Sequence, residues 1–179
     1  MSPSNIVYII DSSSLIFLRR NNPIDIYKTP WRRLKELIEE NRLITHSEVK
    51  KEIIDGNDLL VEWFKEQDRE FDWVYNITDY QNAILPKIHK KYPLFIKPEN
   101  EHDADPFIIA LACERINTPK LQATLYGEYQ YVVISDENSA QGQNLNNPYE
   151  VVKIPDFCKI FKIECIKIFE MFRRESWEF

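Results

Sequence analysis

The sequence predicts an α/β protein, a three-layer α/β/α sandwich with a largely parallel central sheet, and three observations carry that prediction. The first is Val7-Tyr8-Ile9-Ile10, an unbroken apolar run that stops on Asp11 and then on Ser12-Ser13-Ser14. A strand buried on both faces reads this way, as central strands of parallel sheets do. The second is the return of the pattern at Tyr131-Val132-Val133-Ile134, which runs into Ser135-Asp136-Glu137. The third is the alternation of strand-like and helix-like segments between and after them. An acid at the last residue of a buried parallel strand sits at the carboxyl edge of the sheet, where open α/β sheets bind their ligands.

Taken in order, Leu15-Ile16-Phe17-Leu18 continues the first strand as a short helix ending by Asn21-Asn22-Pro23. Thr29-Pro30-Trp31 predicts a second helix with Thr29 as N-cap and Pro30 at the first helical position. Its stripe Trp31, Leu34, Leu37 and Ile38 faces a core. Arg42-Leu43-Ile44-Thr45 reads as a second strand, and Ser47 as the cap of a helix through Ile54, broken at Gly56-Asn57. A further helix over Asp58 to Gln67 is followed by weak alternation over Trp73 to Ile77, an edge strand. Thr78-Asp79-Tyr80-Gln81 has the form of a capping box and opens a helix toward Lys91. Pro93 and Pro98 bracket a loop, Asp103 to Ile116 reads as a helix buried against the sheet, and Ser139 to Pro148 as a polar loop. Val151 to Ile154 reads as the last strand, with two short helices after it.

Residues 1–179 read as a single domain, long enough to bury a core without disulfides or structural metal. Three glycines leave no room for a Gly-rich phosphate loop, and neither G-x-G-x-x-G nor G-x-x-x-x-G-K-[ST] occurs. Cys113, Cys158 and Cys165 are odd in number with apolar neighbours, as expected of small buried hydrophobes in a reducing compartment. His46, His89 and His102 are scattered, which argues against zinc. With no signal segment and no long apolar run, the expectation is a cytoplasmic protein without a membrane partner. A net charge of −6 gives no overall attraction to nucleic acid, so phosphates would have to be met by local bases, of which Arg19, Arg20, Lys50 and Lys51 flank the acidic segments.

Two further acids join those at the strand ends. On the helix from Ser47, Val49 and Ile53 mark the buried stripe, and Glu52 lies about 60° from Val49, nearer the core boundary than Glu48. In Glu101-His102-Asp103-Ala104-Asp105-Pro106, either Asp103 or Asp105 suits an N-cap. An acid heading a buried helix in such a sheet also faces the strand ends.

These blocks together resemble the PIN-domain nucleases, in order: a hydrophobic strand then Asp11-Ser-Ser-Ser-Leu-Ile, a helix with Val49-x-x-Glu52-Ile, Ala104-Asp105-x-x-Ile-Ala-Leu-Ala, and Val133-Ile-Ser135-x-Glu137. The tail from Ile154-Pro155-Asp156-Phe157-Cys158 resembles an uncharacterised prokaryotic branch of that superfamily. The resemblance implies that Asp11, Glu52 and Asp105 are the principal acids, with the fourth at Asp136 or Glu137, and Ser13 and Ser135 as supporting hydroxyls. It further implies a ribonuclease dependent on Mg²⁺ or Mn²⁺, acting on single-stranded or looped RNA, often as a toxin with a cognate antitoxin protein; a homodimer is compatible with it. Glu137 where Asp is usual, Asp136 beside it, and Pro106 after the third acid depart from the family pattern. A haloacid-dehalogenase-type phosphatase would need a second Asp where Ser13 stands. The serious rival is a non-catalytic PIN-like scaffold.

Overall fold

Five parallel strands order the molecule as β3-β2-β1-β4-β5, with β1 (Ile6–Ile10) at the centre, β2 (Leu43–His46) and β3 (Val74–Tyr75) on one side, and β4 (Gln130–Ile134) and β5 (Glu164–Ile166) on the other. This is a computed structural model, and it describes residues 5–93, 103–118, 129–139 and 152–178. Tyr8, Ile9 and Ile10 are fully buried, as are Val132, Val133 and Ile134, which is why both strands read as continuous apolar runs. Their register sets Ile10 beside Ile134, so Asp11 and Ser135 leave the sheet as neighbours.

Helices cover both faces and complete the α/β/α sandwich. On one face α1 (Ser12–Asn21), α3 (Ser47–Ile54) and α4 (Leu59–Glu70) pack together, and α2 (Lys28–Glu39) lies on β2. Phe17 of α1 meets Phe169 of α8 (Ile168–Arg174) edge to face. On the other, α6 (Asp105–Asn117) lies over β1, β2 and β4, flanked by α5 (Asp79–Lys91) and α7 (Ile154–Phe161). The near-uniform apolarity of α6 follows from that position: Ile108 to Ala112 are fully buried.

Local caps correct several sequence expectations. The second helix begins at Lys28 with Tyr27 as N-cap, so Thr29 and Pro30 lie inside its first turn. Helix α3 is capped by His46, whose Nδ1 accepts the Glu48 amide, in place of Ser47. Thr78 does cap α5, but Gln81 turns its side chain to Glu114 and His46 and so leaves the capping box half made. Most consequentially, the strand expected at Val151 to Ile154 is absent over its described part: Ile154 already opens α7, with Lys153 as N-cap and Asp156 bonded back to the Lys153 amide. The last strand is Glu164–Ile166 instead, between the two final helices. Pro98 and most of the expected 139 to 148 loop lie outside the described residues.

Cys113 and Cys158 are buried, as the sequence reading expects, whereas Cys165 is half-buried; all three are free thiols. Among the described residues no helix is long and apolar enough to cross a membrane.

Candidate active site

The strand order reverses at β1, which has β2 on one side and β4 on the other. In an open parallel sheet the connections on the two sides of such a point diverge and leave a crevice outside the carboxyl ends. Asp11, the first residue beyond β1, sits there at 1% exposure. Its amide donates to the Ile134 carbonyl (3.0 Å), which fixes the backbone, and its carboxylate caps α1 by accepting the Ser13 amide (3.2 Å) and the Ser13 hydroxyl (2.5 Å). Ser12 and Ser135 hydroxyls approach the same carboxylate at 3.5 Å. The hydroxyls of Ser13 and Ser135 both face Asp11, and Ser13 Oγ also accepts the Asp136 amide at 3.2 Å, which ties the β1 and β4 ends together.

Glu52 reaches the crevice from α3. Its Oε1 accepts the Ala104 amide at 2.8 Å and so satisfies, from α3, the backbone N–H of the residue that caps α6. Neither Asp103 nor Asp105 is the cap; Ala104 is, and Asp105 is the first helical residue.

Burial is the largest influence on each of these acids, and mutual repulsion adds to it. Burial drives the Asp11 carboxyl up to about 6; the Ser13 hydroxyl and amide oppose the rise while Glu52 and Glu137 reinforce it. Asp105 is pushed further, to about 9, by burial and then by the charges of Asp11, Glu137 and Asp103, with Lys153 opposing. Glu52 is also raised by burial, with help from Asp103 and Glu137, against stabilising bonds from Ser12 and the Ala104 amide. Acids from four separate segments thus lie within one another's field, and low local dielectric makes that proximity costly. Among the described residues no three His, Cys, Asp or Glu side chains are gathered closely enough to hold a metal ion, so the carboxylates share a field without sharing a coordination sphere.

The two candidates for the fourth acid point to different partners. Asp136 turns away and accepts the Ile168 amide at 3.1 Å, starting α8. Its place is at a helix terminus, outside the acid group. Glu137 is the residue whose charge reaches Asp11, Glu52 and Asp105. It is held by the Lys153 ammonium at 2.7 Å and by the Ile154 amide at 3.3 Å.

Three of the four expected substrate-binding bases form ion pairs within the protein. Arg19 pairs with Asp58 (3.1 Å), linking α1 to the head of α4, Lys50 with Asp68 (2.6 Å), linking α3 to α4, and Lys51 with Glu48 (2.7 Å) inside α3; Arg20 is exposed at the end of α1. The base in the crevice is Lys153, whose charge reaches Asp105 and Asp103 as well as Glu137. Reading 151 to 154 as a strand concealed it. The signal that could have found it is Lys153-Ile-Pro155-Asp156, a helix start with Pro in the first turn and an acid at the third position.

Over residues 8–179 the chain matches a family described as a domain of unknown function, DUF4411. No curated protein matches it.

Proposed function

The chain belongs to the DUF4411 family, and we propose that it is a PIN-like, divalent-metal-dependent endoribonuclease acting on single-stranded or looped RNA. The observation that supports this reading is that Asp11, Glu52, Asp105 and Glu137 lie within one another's electrostatic field at the carboxyl edge beside the β1–β4 switch point. The donor chemistry suits Mg²⁺ or Mn²⁺, which prefer carboxylate and water oxygens over thiol or imidazole. Standing apart as they do here, those four side chains would have to draw together to hold the ion, which when bound lowers the pKa of a coordinated water and stabilises charge at phosphorus.

The chain's own residues prepare that chemistry. Ser13 fixes the Asp11 carboxylate, the Ala104 amide fixes one oxygen of Glu52, and Lys153 together with the Ile154 amide holds Glu137. No nucleophilic side chain is required. On the same reading the partners are RNA and, if the protein is a toxin, a cognate antitoxin. A non-catalytic scaffold is the second reading, favoured by one observation: both oxygens of Glu137 are already engaged within the protein.

Asp11→Asn separates the two. An amide oxygen can still accept from Ser13, so the α1 cap and the fold survive while a ligand charge is lost. Wild type should cleave a mixed single-stranded RNA with Mg²⁺ or Mn²⁺ and stop with chelator, and the variant should not cleave. Cleavage that persists in the variant or in chelator refutes the metal-dependent site; no cleavage by wild type on varied RNAs moves the protein to the scaffold reading.

A further inference from the structure

A cavity of about 420 Å³ opens beside the acids, between the end of β4, β5 and α7, and Ser135 and Glu137 belong to both its wall and the acidic crevice. That volume is within the range of small-molecule sites. Its floor is apolar, with Pro155, Ile163 and Ile166, and its rim carries Asn138, Ser139, Lys159 and Lys167. The two lysines differ from the bases on α1 and α3. Lys159 Nζ rests on the Ser139 hydroxyl (3.1 Å) and Lys167 Nζ on the Asn138 carbonyl oxygen (3.0 Å), partners without charge, whereas Arg19, Lys50 and Lys51 are each matched to a carboxylate. Both are exposed, and neither charge is cancelled by its hydrogen-bond partner.

We propose that this cavity is a nucleotide subsite for single-stranded RNA, in which Lys159 and Lys167 meet the phosphates flanking one nucleotide and the apolar floor receives its base, next to the acids. The inference deepens the nuclease reading and rests on it. A single-stranded substrate fits because an unpaired base can leave its stack and lie on an apolar surface, while backbone charge is met at the rim. The polar edge of the base would face Asn138 and Ser139, whose oxygens accept from the lysines and whose amide N–H and hydroxyl groups are donors besides.

The test uses binding, which does not depend on cleavage. A short fluorescein-labelled oligouridylate is titrated by anisotropy into the full chain carrying Asp11→Asn, with chelator, over a range of salt. Adding Lys159→Gln with Lys167→Gln should weaken binding roughly tenfold at low salt and reduce the salt slope by about 1.4, as expected for two single-strand phosphates. Lys28→Gln with Lys65→Gln, an equal charge change on α2 and α4, should leave both quantities nearly unchanged. Ser139→Trp, which keeps the lysines and obstructs the rim, should weaken binding with the salt slope retained. Equal loss in the control pair, or no loss in the Lys159/Lys167 pair or in Ser139→Trp at unchanged melting temperature, overturns the subsite. Wild-type cleavage with Mg²⁺ is scored separately: selective loss of binding without any cleavage keeps the subsite and removes the nuclease, and cleavage with unaltered binding does the reverse.

Discussion

Lys153 Nζ stands 2.7 Å from the Glu137 carboxylate, and it is a cation supplied by the chain itself to the place where the acids crowd. Its backbone is fixed as the N-cap of α7, while its side chain remains 35% exposed. The pair is therefore partly screened and contributes under about 1 kcal/mol to stability. Its larger effect concerns cations. If Glu137 is a metal ligand it must exchange the ammonium for the ion. Lys153→Met should cost little in melting temperature and tighten Mn²⁺ binding roughly threefold to tenfold by isothermal titration. Weaker Mn²⁺ binding in the variant would show that the lysine supports the ion instead of competing with it.

Asp105 predicts an unusual pH dependence. Its carboxyl is raised in the folded protein above its value in the unfolded chain, chiefly by burial and by Asp11. A group shifted in that direction contributes stability that is fully present below the unfolded pKa, near 4, and lost as pH rises toward the folded value. In chelator, wild type should therefore lose stability between about pH 4 and pH 9 through this group. Asp105→Asn removes the titration, and it should raise stability at pH 8 by about 1–3 kcal/mol with little change at about pH 4. Urea midpoints at the two pH values check this. An equal shift at both would show that charge at Asp105 is not the cause.

Glu52 is expected to have two separable roles. Its bond to the buried Ala104 amide holds α3 against the head of α6, and its charge belongs to the acid group. Glu52→Gln retains an acceptor oxygen, so it should fold with near wild-type stability and bind Mn²⁺ more weakly. Glu52→Ala leaves the amide without that acceptor, and it should cost a further 1–3 kcal/mol or so. Matching stabilities for the two variants would mean that another group satisfies the amide.

What could be read in the sequence was whatever depended on local pattern. The apolar runs of β1 and β4 announced buried strands, and the helical spacing of Val49 and Ile53 was enough to prefer Glu52 to Glu48. What failed depended on partners distant in sequence. Asp136 and Glu137 are adjacent on an irregular stretch, and where each side chain goes is set by the Ile168 amide for one and by Lys153 for the other. β5 has three half-buried residues, too few to show a period, and Val152-Lys153-Ile154 imitates the alternation of a strand although Pro155 and Asp156 fit a helix start. His46 displaced Ser47 as a cap because its ring is fully buried and also bonds Gln81, an arrangement set by α5 and α6.

The opposite edge of the sheet supplies a control on all of these site predictions. Helix α8 begins where the Ile168 amide meets Asp136 and ends at Glu175, which accepts the Tyr8 hydroxyl at 2.7 Å and pairs with Arg42 through the same oxygen. Tyr8 is fully buried, and the Arg42 and Glu175 side chains are only 12% and 11% exposed. Burial and this carboxylate also push the Tyr8 phenol upward, so the hydroxyl remains a donor at ordinary pH. Glu175→Ala strands a buried donor and a largely buried guanidinium, with Glu40 left as a more exposed partner for the latter. It should lower stability by about 2–4 kcal/mol. Because Arg42 precedes β2 and the acids follow the strands, the loss should be distributed as pure stability: a lower urea midpoint, an unchanged slope, and Mn²⁺ affinity equal to wild type wherever the variant is folded. A variant of normal stability that had lost Mn²⁺ binding would contradict the assignment of the ion to the carboxyl edge.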